Sequence, residues 1–336
     1  MRVLVTGGAG FVGSHVVDAL VARGHSVVIV DTMHPQRDDR VEIQVGDLSD
    51  PDVARRAVAG VDAVCHQAAM VGLGVDFADV RRYVLDNDLA TATLLGALHD
   101  RRFTGRFVLA SSMVVYGEGA YRCERDGVVA PGPRAVDDLR AGRFDPPCPR
   151  CGTALAPELV DEDAPTDPRN VYAATKLHQE HLLTAYAREH QGVAPIALRY
   201  HNVYGPRMPR DTPYAGVASI FWSAAARGDA PRVFEDGGQT RDFVHVHDVA
   251  RANVAALEAP SDITGAFNIA SGRPRTVLEL ARAITEANDS PAPDVVGGYR
   301  LGDVRHVVAS PERAATVLGF RAQVELATGV ADLRPT

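Results

Sequence analysis

The stretch Thr6-Gly7-Gly8-Ala9-Gly10-Phe11-Val12-Gly13 decides the fold of this chain. It follows an apolar run at residues 3–6, which predicts a buried strand, and it opens residues 11–23, whose apolar spacing predicts a helix. The glycines match G-x-G-x-x-G at Gly8, Gly10 and Gly13, and also the variant spacing at Gly7, Gly10 and Gly13. Glycines let the backbone turn sharply and approach other groups closely. The stretch therefore predicts a strand, a tight turn and a helix packed as one unit.

Strand and helix patterns go on alternating outward from this unit. Strands are predicted at residues 26–30, 41–45, 61–65, 107–111 and 196–200, and helices at residues 51–60, 87–101 and 171–190. This alternation is typical of βαβ units and predicts an α/β fold with a doubly wound parallel (Rossmann) sheet. After residue 200 the pattern becomes mixed and shorter, with helices predicted at residues 217–227, 248–258 and 276–288.

These patterns predict three parts. The Rossmann domain takes residues 1–117, 166–199 and 240–262, and a smaller mixed α/β substrate domain takes residues 200–239 and 263–336. Residues 118–165 form an inserted module, because the segment 118–168 holds 8 of the 21 prolines and is too long for an ordinary loop.

The glycine-rich turn indicates a dinucleotide site. The free N–H groups at the start of its helix can bind a pyrophosphate. Asp31, 18 residues after Gly13, can accept hydrogen bonds from an adenosine ribose and would repel a 2′-phosphate, so NAD is the predicted cofactor. Arg37 and Arg40 keep NADP open. Asp47, after the third strand, is placed to meet the adenine edge.

Composition narrows the classes of function. The chain has 336 residues, 46% of them hydrophobic, with a net charge of −8 and a pI near 5.8, which argues against partners such as nucleic acid or an anionic membrane. No apolar run approaches the roughly 18 residues of a membrane span. The first residues read as a strand and not as a signal peptide, so we expect a cytoplasmic protein. Four cysteines are too few for a disulfide framework.

Tyr172 and Lys176 stand one helical turn apart in Tyr172-Ala-Ala-Thr-Lys176. Lys176 is the single lysine among 35 basic residues. A nearby cation favours the phenolate form of a tyrosine, whose pKa is ordinarily about 10, and a compact ammonium can also hold ribose hydroxyls. We therefore predict Tyr172 as a catalytic base and acid and Lys176 as its partner, the alternative being an incidental pair on a solvated helix face.

Six stretches resemble the extended short-chain dehydrogenases/reductases of the nucleotide-sugar epimerase group. They are residues 6–13, His66-Gln67-Ala68-Ala69, residues 111–117, residues 172–176, Asn202-Val203-Tyr204-Gly205-Pro206-Arg207 and Arg241-Asp242-Phe243-Val244-His245-Val246. The resemblance implies that Ser112 completes a catalytic triad with Tyr172 and Lys176. It also implies a recycled NAD and a homodimer formed through the helices beginning near Asn87 and Val171. The cofactor contacts that it implies are Gly7, Gly10, Phe11, Val12, Gly13, Asp31, Asp47, Leu48, Ala68, Asn87, Tyr172 and Lys176.

The resemblance also implies the reaction, which begins with oxidation at sugar carbon 4. Members that dehydrate or decarboxylate carry acidic residues where this chain has Met113 and Val114, which cannot move a proton. This departure favours simple 4-epimerisation of a nucleoside-diphosphate sugar. A 4-keto-sugar reductase using NAD(P)H and a non-catalytic NAD-sensing regulator remain alternatives. The predicted substrate contacts are Ser112, Asn202, Val217, Phe234, Arg241, Arg300 and Arg305.

The inserted module carries Cys123, Cys148 and Cys151. The module, residues 213–217 and residues 234–237 resemble the group that epimerises dTDP-L-rhamnose, in which a C-x-x-H pairs with a C-x-x-C. Here Asp126 takes the histidine position. A structural zinc held by Cys123, Asp126, Cys148 and Cys151, a disulfide and three free thiols are the alternatives.

Overall fold

The structure is a computed structural model that describes residues 1–35, 41–72, 77–210 and 216–333. Its strands are β1 (Arg2–Thr6), β2 (Ser26–Asp31), β3 (Val41–Val45), β4 (Ala63–His66), β5 (Gly105–Ser112), β6 (Ala120–Cys123), β7 (Gly127–Val129), β8 (Ala156–Glu158), β9 (Val193–Tyr200), β10 (Asn202–Tyr204), β11 (Arg232–Val233), β12 (Thr240–His245), β13 (Gly265–Ile269), β14 (Pro274–Thr276), β15 (Asp294–Val295) and β16 (His306–Val307).

The helices cover both faces of the central sheet and fill the smaller part. They are α1 (Phe11–Ala22), α2 (Pro51–Ala57), α3 (Val80–Tyr83), α4 (Ala90–Asp100), α5 (Val136–Arg140), α6 (Val171–Glu189), α7 (Val217–Ala226), α8 (Val246–Glu258), α9 (Val277–Ala287), α10 (Glu312–Val317) and α11 (Leu326–Ala331), with 3₁₀ turns at Phe77–Asp79 and Met113–Tyr116. Within the described ranges, no helix is both long and apolar enough to cross a membrane.

A seven-stranded parallel sheet in the order β13-β9-β5-β4-β1-β2-β3 confirms the predicted Rossmann fold. Its inner strands are apolar on both faces, so each face is covered by helices. One core cluster joins the sheet to α1 and α8, and a second joins it to α2, α4 and α6. The strand order reverses between β1 and β4, and ligands of such sheets bind at the carboxyl ends of strands flanking that point.

The smaller part is built on a sheet in which β12 pairs with β10, β14 and β16. Its core lies between this sheet and helices α7, α9 and α11. Residues 118–165 contain a three-stranded antiparallel sheet in the order β7-β6-β8 and the short helix α5.

Two predicted boundaries differ from the structure. We predicted residues 263–336 in the substrate domain, but β13 is the edge strand of the central sheet, where Phe267 and Ile269 are buried. We also predicted residues 240–262 in the Rossmann domain. There α8 packs on the central sheet, whereas β12 pairs within the smaller sheet. Strand patterns report burial and not the partner strand, so the sequence alone could not make these assignments.

Candidate active site

The glycine-rich turn forms a closely packed cradle. Gly7 has a left-handed backbone with φ +66°, and a Cβ there would lie 2.7 Å from the backbone nitrogen of Ala68. A Cβ at Gly13 would lie 2.1 Å from the Gly7 carbonyl oxygen, so α1 can approach the turn only because this position is glycine. The N-cap Gly10 offers no side-chain hydrogen bond to the first turn of α1. The N–H groups of that first turn are available to an anion, so the cradle fits a pyrophosphate.

Asp31 lies beside this cradle at the end of β2. Its Oδ2 accepts a hydrogen bond from the Ala9 N–H at 2.9 Å and its Oδ1 accepts one from the Met33 N–H at 3.0 Å. Asp47 Oδ1 accepts from the Ser49 N–H at 2.8 Å, and Leu48 is buried in the sheet core. Both acidic residues therefore shape the loops that follow their strands. Arg37 and Arg40, on which the NADP alternative rests, lie outside the described residues.

A buried polar relay, which the sequence analysis did not identify, begins just before the cradle. Thr6 Oγ1 lies 2.7 Å from His66 Nδ1 and accepts from the Ala68 N–H at 3.1 Å. His66 Nε2 lies 2.9 Å from Thr91 Oγ1, and Thr91 Oγ1 accepts from Gln179 Nε2 at 2.7 Å. The relay connects β1 through β4 and α4 to α6, the helix that carries Tyr172 and Lys176. In the sequence, the only sign of this relay is that Thr91 and Gln179 stand among apolar positions of predicted helices.

Asn87 joins the same two helices through an irregular turn. We predicted that a regular helix begins there, but Val84–Leu89 is a π-helical turn preceding α4. Asn87 is fully buried, its Oδ1 accepts from the Met70 N–H at 2.7 Å, and its Nδ2 donates to Thr175 Oγ1 at 2.9 Å. Such single π turns are frequent at functional sites, and this one aims the amide between the loop after β4 and α6.

Ser112, Tyr172 and Lys176 come together at the carboxyl ends of β5 and β9. Ser112 ends β5, in register with Tyr200 at the end of β9, and its hydroxyl lies close enough to the Tyr172 phenol to favour the phenolate form. The Lys176 ammonium donates to the Ala110 carbonyl at 2.9 Å and lies 6.0 Å from the centroid of the Tyr172 ring. The spacing prediction that Tyr172 and Lys176 share one helix face therefore holds in the geometry of α6.

The acid–base state of this pair differs from the expectation. Burial raises the pKa of Tyr172 to about 12, against the opposing effect of the nearby Ser112 hydroxyl. Burial lowers the pKa of Lys176 to about 7, against the opposing charges of Asp88 and Glu180. The loss of hydration therefore outweighs any help that the ammonium gives to the phenolate. Additional positive charge near the phenol would favour its ionisation.

Two of the predicted substrate contacts lie on the paired strands β10 and β12. Asn202 Oδ1 is buried and, among the described residues, has no hydrogen-bond partner. Arg241 donates to the carbonyls of Thr240 at 2.9 Å, Val304 at 2.6 Å and Arg305 at 2.9 Å. Within the described ranges no carboxylate forms an ion pair with Arg241. A partly exposed guanidinium held by neutral carbonyls retains its charge for an anionic ligand.

The remaining predicted substrate residues divide into two kinds. The Arg300 guanidinium lies 5.1 Å from the centroid of the Phe234 ring, and Val217 is the first residue of α7. Arg305 is only 3% exposed, and its guanidinium donates four hydrogen bonds to the carboxylates of Asp145, Glu235 and Asp236. The structure thus brings Phe234 and Arg300 together, whereas it directs Arg305 to carboxylates of the protein itself.

The inserted module brings Cys123, Asp126, Cys148 and Cys151 together, with their ligand atoms within 4.8 Å of one another. The Sγ atoms of Cys123 and Cys151 are 3.5 Å apart, and Asp126 Oδ2 lies 3.2 Å from Cys148 Sγ. A zinc ion with Zn–S bonds of about 2.3 Å has tetrahedral edges of about 3.8 Å, so this donor set fits the ion. The 3.5 Å separation is that of free thiols and not of a disulfide.

Comparisons with known proteins identify the family of this chain. The family described as "NAD dependent epimerase/dehydratase family" matches residues 3–134 and 151–270. The dTDP-L-rhamnose 4-epimerase of Burkholderia thailandensis is 34% identical, over 99% of this chain and 94% of its own length. The UDP-glucose 4-epimerase of Thermus thermophilus, solved in complex with NAD, is 31% identical with a TM-score of 0.79, over 98% of this chain and 97% of that one.

A further solved structure, titled "MoeE5 in complex with UDP-glucuronic acid and NAD", is 30% identical with a TM-score of 0.81, over 99% of this chain and 97% of that one. The matched family covers most of the chain, and the matched segments contain the glycine-rich cradle and the triad of Ser112, Tyr172 and Lys176. The chain therefore belongs to the NAD dependent epimerase/dehydratase family and is an enzyme of the extended short-chain dehydrogenase/reductase class.

Proposed function

We propose that the protein is an NAD-dependent 4-epimerase of a nucleoside-diphosphate sugar, and specifically of a dTDP-6-deoxyhexose such as dTDP-L-rhamnose. The observation that carries the proposal is the grouping of Ser112, Tyr172 and a buried Lys176 at the same sheet edge as the glycine-rich cradle. The name of the Burkholderia relative supports the choice of sugar. Other relatives are named for UDP-sugars, so substrate choice is the part that most needs a direct test.

Each triad member has a role set by its chemistry. NAD, when bound, would supply an acceptor for the hydride from sugar carbon 4 and a positive charge that favours the Tyr172 phenolate. Tyr172 takes the proton of the 4-hydroxyl and later returns it. Ser112 positions the sugar oxygen, and Lys176 tunes the phenol through its charge and holds the ribose hydroxyls of the cofactor. Met113 and Val114 offer no acid to the neighbouring carbons, which favours return of the hydrogen over dehydration.

The test uses the purified protein with no added cofactor. Incubation with dTDP-L-rhamnose and with UDP-glucose should convert one of them to its 4-epimer, because a retained NAD is recycled. Tyr172→Phe should lower the rate by about a hundredfold or more. Conversion that requires stoichiometric NAD(P)H would establish the reductase instead. A Tyr172→Phe protein with undiminished conversion would refute the catalytic role, and NAD binding without any conversion would favour the regulator.

We also propose that the cysteine cluster holds a structural zinc ion. Three thiolates and one carboxylate complete a four-ligand set, and the cluster packs on Tyr121 and Val129 in the core of the module. The cytoplasmic location that the sequence predicts would keep these thiols reduced. Elemental analysis should find about one zinc ion per chain, and Cys148→Ser should lose it. Cys65→Ala, in the central sheet, is the matched control that should retain the metal, and a metal-free wild type would overturn the proposal.

We propose a homodimer in which the π turn and α6 face a second copy. Val84, Leu85 and Leu89 of the π turn are each 39–44% exposed, which is unusual for large apolar side chains grouped on one short segment. A helix-to-helix contact between two copies would bury them.

A further inference from the structure

The inserted module contacts the smaller part of the molecule through a group of charged side chains that the predicted reaction does not use. At its centre, Arg305 Nε donates to Asp145 Oδ1 of the module at 2.8 Å. Asp145 Oδ1 also lies 3.2 Å from His306 Nε2. On its other side Arg305 binds Glu235 at 2.9 Å and Asp236 at 2.8 and 2.9 Å.

A second arginine of the module reaches the same carboxylate. Arg134 forms an ion pair with Glu235 at 2.8 Å, in which both side chains are buried, and it donates to the Asp303 carbonyl at 2.7 Å. Glu235 thus lies between Arg134 and Arg305. Its backbone has φ +55°, a left-handed conformation that costs energy for a residue other than glycine. The two arginines hold Glu235 in that conformation.

The segments held by this network carry predicted substrate contacts. Phe234 precedes Glu235 in the chain, and Arg300 stacks on it. The carbonyls of Val304 and Arg305 accept the hydrogen bonds that orient the Arg241 guanidinium. A shift of Arg305 therefore moves both of these carbonyls and Glu235. Arg134, Arg305 and Glu235 are buried at the centre of this network, whereas Asp145 and Asp236 lie at its exposed edge. Removing a carboxylate that pairs with a buried arginine leaves that charge less compensated, and a shift of the chain relieves it.

We infer that Arg134 and Asp145 of the inserted module are positioning residues for the nucleotide-sugar site, acting through Arg305 on Arg241 and Phe234. Arg305 acts within this network, and this role replaces the direct substrate contact predicted for it. The inference rests on the proposed function, since it assumes a nucleoside-diphosphate ligand beside Arg241. The module then determines how tightly the substrate binds and leaves the chemistry to the triad, from which these residues are separate.

The test compares Asp145→Asn with Asp137→Asn in the NAD-loaded protein. Asp145 is 65% exposed as a side chain, so its variant should fold. Asp137 is 92% exposed in the same module, its carboxylate pairs with the neighbouring Arg140, and it is the matched control. Calorimetric titration with dTDP and with UDP measures ligand binding without turnover. The values of kcat and KM are measured with the sugar nucleotide that the wild-type protein epimerises.

Asp145→Asn should raise the Kd for the nucleoside diphosphate, dTDP or UDP, by about tenfold, and the KM for the sugar nucleotide by about the same factor. The kcat should change by less than about threefold. Asp145→Glu should recover part of the loss, and NAD content should stay that of the wild type. Arg134→Met, a second variant on the other side of Glu235, should shift Kd in the same direction.

Unchanged Kd in both Asp145→Asn and Arg134→Met would overturn the inference, and so would a fall in kcat at unchanged Kd. An equal loss of affinity for dTDP or UDP in Asp145→Asn and Asp137→Asn would also overturn it. The loss would then result from the change in the net charge of the module and not from the broken ion pair with Arg305. A wild-type protein that binds neither dTDP nor UDP would instead refute the proposed function on which the inference rests.

Discussion

Lys176 is distinctive both in the sequence and in the structure. It is the single lysine of the chain and is 3% exposed, with its ammonium on the Ala110 carbonyl. A guanidinium is longer, planar and unable to present three donors from one atom. We expect Lys176→Arg to fold with its charge intact and to lose about a hundredfold or more in kcat. Steady-state kinetics with thermal unfolding as the folding control test this, and a kcat near that of the wild type would contradict it.

The pKa of Lys176 makes a separate prediction about stability. In the unfolded chain this lysine binds its proton up to its ordinary pKa of 10.5, whereas in the folded, cofactor-free protein its pKa is about 7. Between these values the unfolded state binds more protons, so this residue makes the folded protein more stable as the pH rises from 7 toward 10. Below pH 7 the full cost of burying the charge remains.

Lys176→Met removes this contribution. The variant's advantage in the free energy of unfolding over the wild type should be largest near pH 7 and should shrink by up to about 1.4 kcal/mol per pH unit above it. Urea unfolding of the cofactor-free proteins at several pH values measures the difference. A difference that does not vary with pH would show that Lys176 is not the titrating group.

Residue spacing predicted Tyr172 and Lys176 because a four-residue interval on a helix specifies a common face. It could not distinguish Arg241 from Arg305. Both are arginines of the smaller part, and the difference between them lies in carboxylates 69 to 160 residues away in the chain. Nor could it give the direction of the Tyr172 pKa shift, because that depends on the burial of the ring.

At the scale of elements, the packing of α1 against the cradle depends on Gly13. We expect Gly13→Ala to force α1 away from the Gly7 carbonyl and to weaken NAD binding by about tenfold or more. Gly96→Ala is the matched control, because it lies within α4 with nothing within 4 Å of the new Cβ. That change should raise the free energy of unfolding by about 0.5–1 kcal/mol.

Calorimetric titration of cofactor-stripped protein with NAD and urea unfolding distinguish the two variants. If Gly13→Ala bound NAD as tightly as the wild type, the close approach of helix and turn would not be what forms the cradle. The first strand, turn and helix were predictable because their pattern is local. The π turn at Val84–Leu89 was not, because the buried bonds of Asn87 to Met70 and Thr175 favour it over a regular helix.

For the whole molecule, the proposed dimer predicts that one surface controls assembly. Leu85→Glu with Leu89→Glu should convert the dimer to monomers, because carboxylates would be buried in an apolar contact. Val317→Glu, on the exposed side of α10, adds the same charge to another apolar position and should leave the assembly unchanged. Sedimentation velocity measures the mass, and a wild-type monomer, or a double variant that stays dimeric, would contradict the proposed surface.

The three-part organisation was predictable in outline from the proline-rich segment and the change of pattern after residue 200. The placement of β12 and β13 was not, since a short apolar strand fits either sheet and only long-range pairing decides between them. The contact between the module and Arg305 was also not predictable, because it joins segments that are distant in the sequence.

The solitary lysine also gives the protein an unusual chemistry toward amine-acylating reagents. Among the side chains of the 336 residues, Lys176 is the single primary amine, and it is 3% exposed. A reagent should acylate Lys176 only when α6 and the strand end beside it separate. The rate of that addition, measured by mass spectrometry, reports how often the active site opens, without any introduced probe.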